Sequence, residues 1–281
     1  MSNDEQIQGG ESFPIPQKQK INNVQNVIAI SSAKGGVGKS TLSVNLAFAL
    51  KALGHSVGIL DADIYGPSIP TMLGVNEEPK SDSLGRIIPI MCEHVPLMSI
   101  GFLVKDDQPL VWRGPMLHQV LQQFFHEVRW VPYSQNMDYL IIDLPPGTGD
   151  IQLSMAQQVE VAGAVIVTTP QDVALADVKR GIKLFNMVDV PIMGVVENMS
   201  YFCCPHCNER TDIFSTGGAE SVVLKAEVPL LGEIPLVPEI RECGDNGRPI
   251  MLANPDSPQS KQYLAIAEKL HAAIQAKDNK S

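Results

Sequence analysis

The chain has 281 residues, of which 44% are hydrophobic and only 5% aromatic, and a formal net charge of −10. One α/β sheet with its covering helices can reach this length, and an aliphatic core is typical of parallel sheets. The negative charge argues against binding through a broad basic surface, so we expect neither nucleic acid nor a membrane as a partner. No apolar run approaches the roughly 20 residues that span a bilayer, and the N-terminus has neither a basic start nor an apolar stretch, so we expect a cytoplasmic protein.

Residues 1–22 are polar and contain Gly-Gly and two prolines, which predicts a flexible tail before a single domain at 23–281. Within this domain, short apolar runs alternate with helix-length segments, as in repeated strand–helix–strand units. The predicted strands are 27–31, 57–60, 139–142, 164–168 and 193–197. One predicted helix follows the first strand and ends at Gly54, and others lie at about 115–128, 174–188 and 260–276.

A glycine-rich stretch with the sequence SSAKGGVGKST, residues 31–41, lies between the first strand and its helix. Its backbone N–H groups can turn toward phosphate oxygens at the positive end of the helix, while Lys39 reaches the β- and γ-phosphates and Ser40 ligates Mg²⁺. We therefore predict an α/β P-loop NTPase with a mostly parallel central sheet and helices on both faces. The residues expected to bind ATP here are Gly35, Gly36, Val37, Gly38, Lys39, Ser40 and Thr41.

Carboxylates follow two of the predicted strands. Asp61 and Asp63 come directly after the second strand, and they would lie beside the phosphate loop if that strand neighbours the first in the sheet. A carboxylate there can orient the attacking water or help to hold Mg²⁺, although an Asp at a strand end is commonly only a turn or cap residue.

Asp143 ends another apolar strand and precedes a Pro-Pro-Gly turn, which is typical of a Walker B motif followed by switch II. Asp143 would then bind Mg²⁺ through water, and the Gly147 backbone would sense the γ-phosphate. Asn198 follows the strand at 193–197, where its amide is placed to read an adenine edge.

Cys204 and Cys207 form a Cys-x-x-Cys pair, which can bind one soft metal ion or one edge of a cluster. A closed site needs four ligands and the chain has no second such pair, so the others come from nearby residues or from a second subunit across a twofold axis. A Cys₄ site suits either Zn²⁺ or [4Fe–4S]; Cys203 or His206 could complete a zinc site, and a redox dithiol is a third interpretation. The other two cysteines, expected to be packed thiols, are Cys92 and Cys243.

The phosphate loop departs from the general pattern, because Ala33 replaces the first glycine and Lys34 precedes Gly35. The form Lys-Gly-Gly-x-Gly-Lys-Ser/Thr resembles the deviant Walker A motif of the ATPase class that includes the nitrogenase iron protein, partitioning and division-site ATPases, and Mrp-type iron–sulfur carriers. This resemblance implies that Lys34 reaches across a dimer interface to the partner's nucleotide. It also implies that Asp63 positions the attacking water, which leaves Asp61 as a structural residue or a more distant partner of Mg²⁺.

Six stretches together resemble the Mrp/ApbC iron–sulfur cluster carrier proteins over about residues 25–275: GILDADIYGPSIPTMLG, VWRGP, DLPPGTGDIQLSMAQ, VTTPQDVAL, GVVENMSYF and IFSTGGAE. The resemblance implies a homodimer that bridges a labile [4Fe–4S] cluster through Cys204 and Cys207. Its implied partners are a cluster assembly scaffold and apo iron–sulfur proteins, with slow ATP hydrolysis needed for delivery. The alternative is a zinc-stabilised P-loop ATPase with a regulatory or positioning role.

Overall fold

The computed structural model describes residues 18–103, 114–132, 135–147, 150–204, 206–207, 209–214 and 218–279. The strands in these ranges are β1 Val24–Ser31, β2 Val57–Asp61, β3 Lys80–Ser81, β4 Ile87–Ile88, β5 Ile90–Cys92, β6 Val95–Ser99, β7 Met137–Asp143, β8 Gly163–Thr168, β9 Ile192–Cys203, β10 Arg210–Thr211 and β11 Leu230–Leu236. The helices are α1 Lys39–Ala52, α2 Ile69–Met72, α3 Gly114–His126, α4 Asp150–Gln158, α5 Asp172–Met187, α6 Gly218–Ala226, α7 Pro238–Asp245, α8 Ile250–Ala253 and α9 Pro258–Asp278, with a 3₁₀ turn at Ile100–Leu103. Within the described ranges, no helix combines the length and the apolar character needed to cross a bilayer.

A single large sheet organises the domain. Its strand order is β10-β9-β8-β1-β7-β2-β6-β5, and β11 also pairs with β9. The pairs β5/β6 and β9/β10 are antiparallel and the others are parallel. The strands β3 and β4 form a separate antiparallel ribbon.

Both faces of this sheet are covered, as the alternation along β1 shows. Ile28 and Ile30 point into a core cluster shared with α1, α8 and α9. Val27 and Ala29 point into a second cluster, which is shared with α3, α4 and α5. Side chains of a strand alternate between faces, so a strand buried on both needs a helical layer on each side. The predicted fold class, a mostly parallel sheet with helices on both faces, is therefore confirmed.

Helix α1 begins and ends where the sequence predicts. It starts directly after Gly38, whose φ is 82°, and no side chain caps its first turn. At its other end Gly54 has φ 92°, and the N–H of His55 donates to the carbonyl of Leu50. A left-handed glycine with such a bond is a common helix terminator, because glycine has no Cβ to clash.

The sequence analysis placed Asp61 and Asp63 beside the phosphate loop on the condition that β2 neighbours β1, and the observed strand order is different. β2 does not neighbour β1, because β7 lies between them: Leu140 of β7 is in register with Val27 on one side and Gly58 on the other. All but one residue of β7 is buried, which suits a central position, and a parallel crossover can skip a place in the sheet. The condition that the two strands are neighbours is therefore not met, yet the carboxyl ends of β1, β7 and β2 still meet at one edge.

The boundary of the predicted tail also changes. Gln19 forms a parallel bridge with Val159, its N–H donates to Gln158 O at 2.9 Å, and its carbonyl accepts from Glu160 N at 2.9 Å. Ile21 is only 3% exposed and belongs to the core cluster under α3 and α4. Residues 18–22 are therefore packed on the domain because Ile21 supplies apolar surface; the rest of the predicted tail, 1–17, lies outside the described residues.

Candidate functional site

A pocket of about 280 Å³ lies at the carboxyl edge of the sheet. It is lined by the loop that joins β1 to α1, in which Gly36 and Gly38 have φ of 77° and 82°. The first turn of α1 has no acidic residue and no capping side chain, so its backbone N–H groups and the positive end of its dipole face the pocket. Such a pocket favours an anion. The predicted residues that line it are Gly35, Gly36, Gly38, Lys39, Ser40, Thr41 and Asp63.

Lys39 lies between two carboxylates at the floor of this pocket. Its Nζ is 2.7 Å from Asp143 Oδ2 and 3.2 Å from Asp63 Oδ2, and its side chain is 6% exposed. Burial by itself lowers the pKa of Lys39, but the charges of Asp143 and Asp63 outweigh this effect and raise the pKa above 10.5. The ammonium is therefore charged. When a phosphate enters the pocket, its oxygens would replace the two carboxylates as the partners of Lys39.

Asp143 accepts hydrogen bonds from hydroxyl groups in the first turns of α1. Ser40 Oγ donates to Asp143 Oδ2 at 2.6 Å, and Ser43 Oγ donates to Oδ1 at 2.6 Å. A hydroxyl next to a carboxylate is the hard oxygen donor set that Mg²⁺ prefers, so these residues fit that ion. The sequence analysis missed Ser43; the available signal was its position four residues after Lys39, on the same face of α1.

Asp61 holds the loop after β2 in shape. Its carboxylate accepts from Asp63 N and Ile69 N, both at 3.2 Å, and from Ser99 Oγ at 3.0 Å. Burial, followed by the charge of Asp143, raises the pKa of Asp61 to about 7. Asp63 Oδ1 accepts from Tyr65 N at 3.1 Å, while Oδ2 faces Lys39. The two acids therefore differ: one is saturated with hydrogen bonds inside the loop, and the other faces the pocket.

The turn after β7, predicted to be switch II, is tied to the phosphate loop in this structure. Gly147 has φ 106°, and its N–H donates to Ser32 O at 2.8 Å. Gln152, a buried residue of α4, donates from Nε2 to Pro145 O at 2.7 Å and accepts from Ser31 Oγ at 3.3 Å. The sequence analysis missed Gln152, which only the packing of α4 brings between the two segments.

A second, mostly apolar pocket of about 650 Å³ adjoins the first. Asn198 lines this second pocket, and its Nδ2 donates to Val37 O of the phosphate loop at 2.8 Å. Asn198 also lies so close to Gly38 that a Cβ on that residue would be 2.1 Å from Nδ2. The far wall is the end of β11 and the residues after it, including Pro235 and Leu236, which the sequence analysis did not single out. The size and apolar lining suit a purine nucleoside beside the phosphate pocket.

Lys34 lies apart from this constellation. Its Nζ donates to Gln171 Oε1 at 3.1 Å, between the phosphate loop and the start of α5, at an exposed position. The second lysine of the motif is therefore at the surface of the single chain, whereas Lys39 is buried within it.

Three of the cysteines, Cys203, Cys204 and Cys207, lie on a short hairpin whose described residues are 201–204, 206–207 and 209–211, and which we call the cysteine hairpin. Cys203 at the end of β9 pairs with Arg210 of β10, and Cys204 N donates to Glu209 O at 3.0 Å. Cys207 is exposed, and the backbone N–H groups of His206 and Cys207 lower the pKa of the Cys204 thiol, as does the Cys207 side chain. A lowered thiol pKa favours the thiolate, the form that binds metals.

The described part of one chain does not contain a complete metal site at this hairpin. Among the described residues, no three His, Cys, Asp or Glu side chains come together as a metal site. All five cysteines are free thiols, and both Cys92 and Cys243 pack against the core, away from the exposed Cys207. The placement of Cys203 within a strand pair gives no indication that it adds a ligand.

Comparisons with known proteins identify relatives over most of the chain. Residues 23–271 match the family model described as the ParA family, NUBPL iron-transfer P-loop NTPase. The chain is 51% identical to the iron–sulfur cluster carrier protein of Escherichia coli strain K12, covering 90% of this chain and 68% of that protein. It is 48% identical to the iron–sulfur cluster transfer protein NUBPL of Dictyostelium discoideum, covering 98% and 85%.

Two solved structures share the fold. The nucleotide-binding protein of Archaeoglobus fulgidus, solved in complex with ADP, is 34% identical, has a TM-score of 0.74 and covers 86% of this chain and 93% of its own. The cell division ATPase MinD of Pyrococcus furiosus is 25% identical, with a TM-score of 0.67 and coverage of 88% and 98%. The P-loop NTPase fold and the resemblance to cluster carrier proteins are thus confirmed, and the chain belongs to the NUBPL iron-transfer family of P-loop NTPases.

Proposed function

We propose that this protein is an ATP-dependent iron–sulfur cluster carrier in which two copies hold one labile [4Fe–4S] cluster. The observation that carries the proposal is that β9 touches both sites: Asn198 contacts the phosphate loop, and the same strand ends at the cysteine hairpin. Cys204 and Cys207 supply two thiolates and a Cys₄ site needs four, so a twofold axis beside the hairpin completes the site. The printed names of the relatives support an iron–sulfur cluster as the cargo.

The nucleotide in this proposal is ATP, bound with Mg²⁺. The phosphates would occupy the pocket of residues 35–41, with Lys39 turning from its carboxylates to the γ-phosphate. Ser40 and Asp143 would hold Mg²⁺, which when bound neutralises charge on the β- and γ-phosphate oxygens. Asn198 favours adenine: because its Nδ2 is engaged by Val37 O, its Oδ1 remains as an acceptor for the 6-amino group.

Hydrolysis is assigned to residues around the γ-phosphate. Asp63 lies beside Lys39 with one carboxylate oxygen toward the pocket, so it is placed to orient an attacking water. Lys34 would leave Gln171 and reach the nucleotide of the second copy. The N–H of Gly147 would exchange the carbonyl of Ser32 for the γ-phosphate, which releases switch II when the phosphate departs.

The remaining parts of the proposal concern cargo and place. The cluster would come from an assembly scaffold and pass to apo iron–sulfur proteins, with nucleotide turnover changing how tightly the cysteine hairpins hold it. We place the protein in the cytoplasm, since an odd number of cysteines in a chain too large to need disulfides favours reduced thiols, the state that the cytoplasm maintains.

Transfer from the reconstituted protein to an apo-aconitase acceptor tests the coupling. We expect MgATP to accelerate recovery of aconitase activity with the parent protein, and we expect Asp63→Asn to bind cluster normally but to lose the acceleration. The matched control is Glu160→Gln, a surface carboxylate that pairs with Lys20 at 3.8 Å. Equal acceleration in the Asp63 variant and the control would overturn the proposal that ATP hydrolysis drives cluster delivery.

A further inference from the structure

The outer part of β9 bends away from its neighbour. Met199 has φ 55°, an uncommon conformation for a residue other than glycine. In the pairing of β9 with β11, Asn198 lies opposite Ile234, and the next pair is Phe202 opposite Leu236. Between these two pairs β9 advances by four residues while β11 advances by two. Extra residues of this kind disrupt the ladder and bend the strand. The segment that leads into the cysteine hairpin therefore has a locally interrupted attachment to the sheet.

The hairpin's own backbone ladder is short. Among the described residues it consists of Arg210 opposite Cys203 and Thr211 opposite Phe202, together with the bond from Cys204 N to Glu209 O. A two-stranded hairpin of this size is marginal without further packing. Side-chain contacts must therefore contribute to its orientation.

The side chain of Arg210 joins the hairpin to the sheet. The guanidinium of Arg210 lies 4.0 Å from the centre of the Tyr201 ring, and its Nη2 is 3.4 Å from Glu233 Oε2 on β11. Its Nε also donates to Asp212 Oδ1 at 3.1 Å. Tyr201 is anchored in turn, because its hydroxyl accepts from Gln262 Nε2 of α9 at 2.5 Å. A planar cation that stacks on a ring and binds carboxylates fixes orientation better than a single charge does.

We propose that Arg210 is the positioning residue of the cysteine hairpin: it fastens the hairpin to β11 through Glu233 and stacks on Tyr201, which Gln262 holds to α9, and so sets where the cysteine pair lies relative to the nucleotide pocket. This inference rests on the proposed function in so far as the pair holds a cluster. Beyond Glu233, β11 continues to Pro235 and Leu236, which line the purine-sized pocket. A displacement of that pocket wall therefore reaches the hairpin through Arg210.

Hydrogen exchange of the apo protein tests the fastening without any cluster. In Arg210→Ala we expect the Cys204 amide to exchange roughly 5- to 20-fold faster, the factor expected when an exposed cation–π contact and an exposed ion pair are both lost. The matched control is Arg129→Ala, since Arg129 lies 3.5 Å from Asp82 and has a similar exposure but is linked to the β3–β4 ribbon. Equal exchange of the Cys204 amide in both variants would overturn the proposal.

Two variants of Tyr201 separate stacking from general destabilisation. Tyr201→Phe keeps the ring under Arg210 but loses the bond from Gln262, so the hairpin should exchange faster than in the parent and more slowly than in Tyr201→Leu, which should approach Arg210→Ala. If Phe and Leu loosen the hairpin equally, the stacked ring does not position it and the proposal fails.

Cluster measurements then test the purpose of the fastening. After reconstitution with iron and sulfide, Arg210→Ala should bind as much iron as the parent but show an altered visible circular dichroism spectrum, and MgATP should no longer change its rate of iron loss to a chelator. An unchanged spectrum and an unchanged nucleotide response would overturn the positioning role. A parent protein that takes up no iron would instead overturn the proposed function, while the exchange data still decide whether Arg210 fastens the hairpin.

Discussion

Substitution of Gly38 should be much more damaging than substitution of Gly36, although both are glycines of the same loop with positive φ. An alanine in the left-handed region costs about 1 kcal/mol at either position. At Gly36 a Cβ would have no atom within 4 Å, but at Gly38 it would lie 2.1 Å from Asn198 Nδ2. That amide must then move and release Val37 O, which adds about 1 to 3 kcal/mol for the lost hydrogen bond and the unpaired carbonyl. We expect a loss of about 2 to 4 kcal/mol in the free energy of unfolding for Gly38→Ala and about 1 kcal/mol for Gly36→Ala.

Urea unfolding of the nucleotide-free protein measures both losses, and a double variant identifies their cause. Asn198→Ala removes the atom that the new methyl group would strike, so Gly38→Ala/Asn198→Ala should be more stable than the sum of the two single changes predicts. If Gly36→Ala and Gly38→Ala destabilise equally, or if the changes at Gly38 and Asn198 add, contact with Asn198 is not what requires glycine at this position.

Three further predictions concern charge, switch II and the second lysine. Because the pKa of Asp61 is about 7 in the folded protein and 3.8 is its ordinary value, its contribution to stability is full below about pH 4 and is lost as pH rises through 7, an effect on the order of 4 kcal/mol. In urea unfolding, the free energy of unfolding of Asp61→Asn should therefore increase relative to that of the parent as pH rises from 5 to 8. A difference between the two free energies that does not change with pH would contradict the raised pKa. Gln152→Leu should cost about 1 to 3 kcal/mol because it leaves Pro145 O without its donor, whereas Gln157→Leu at an exposed position of the same helix should cost little; similar urea midpoints for the two would refute this. Lys34→Ala should keep the affinity for a fluorescent ADP analogue but lose ATP hydrolysis, and normal turnover of ATP by this variant would count against its role across a dimer.

The local features of the nucleotide site could be predicted from sequence because they depend on neighbouring residues. The glycines, Lys39 and Ser40 are adjacent in the chain, and a strand before them and a helix after them fix their geometry. Gly54 could be predicted as the end of α1 for the same reason. Asp143 follows a run of apolar residues that is recognisable as a buried strand without knowledge of its partners.

Features that depend on tertiary contacts could not be predicted in the same way. Nothing in the order of the chain places β7 between β1 and β2, and the contact of Asn198 with Gly38 joins residues 160 positions apart. The predicted strand at 193–197 is too short, because β10 and β11 pair with the outer segment of β9 and carry it to Cys203, past the interruption at Met199. Gln152 likewise depends on how α4 packs.

Anaerobic reconstitution with iron and sulfide tests the central claim most directly, with bound iron and zinc measured per dimer and mass measured by light scattering. The account predicts about four irons per dimer in the parent. The double variant Cys204→Ser/Cys207→Ser should lose them, and the matched control Cys92→Ser/Cys243→Ser should retain them. A parent protein that takes up no iron and holds zinc tightly instead, or iron that survives loss of Cys204 and Cys207, would contradict a cluster bridged by this pair.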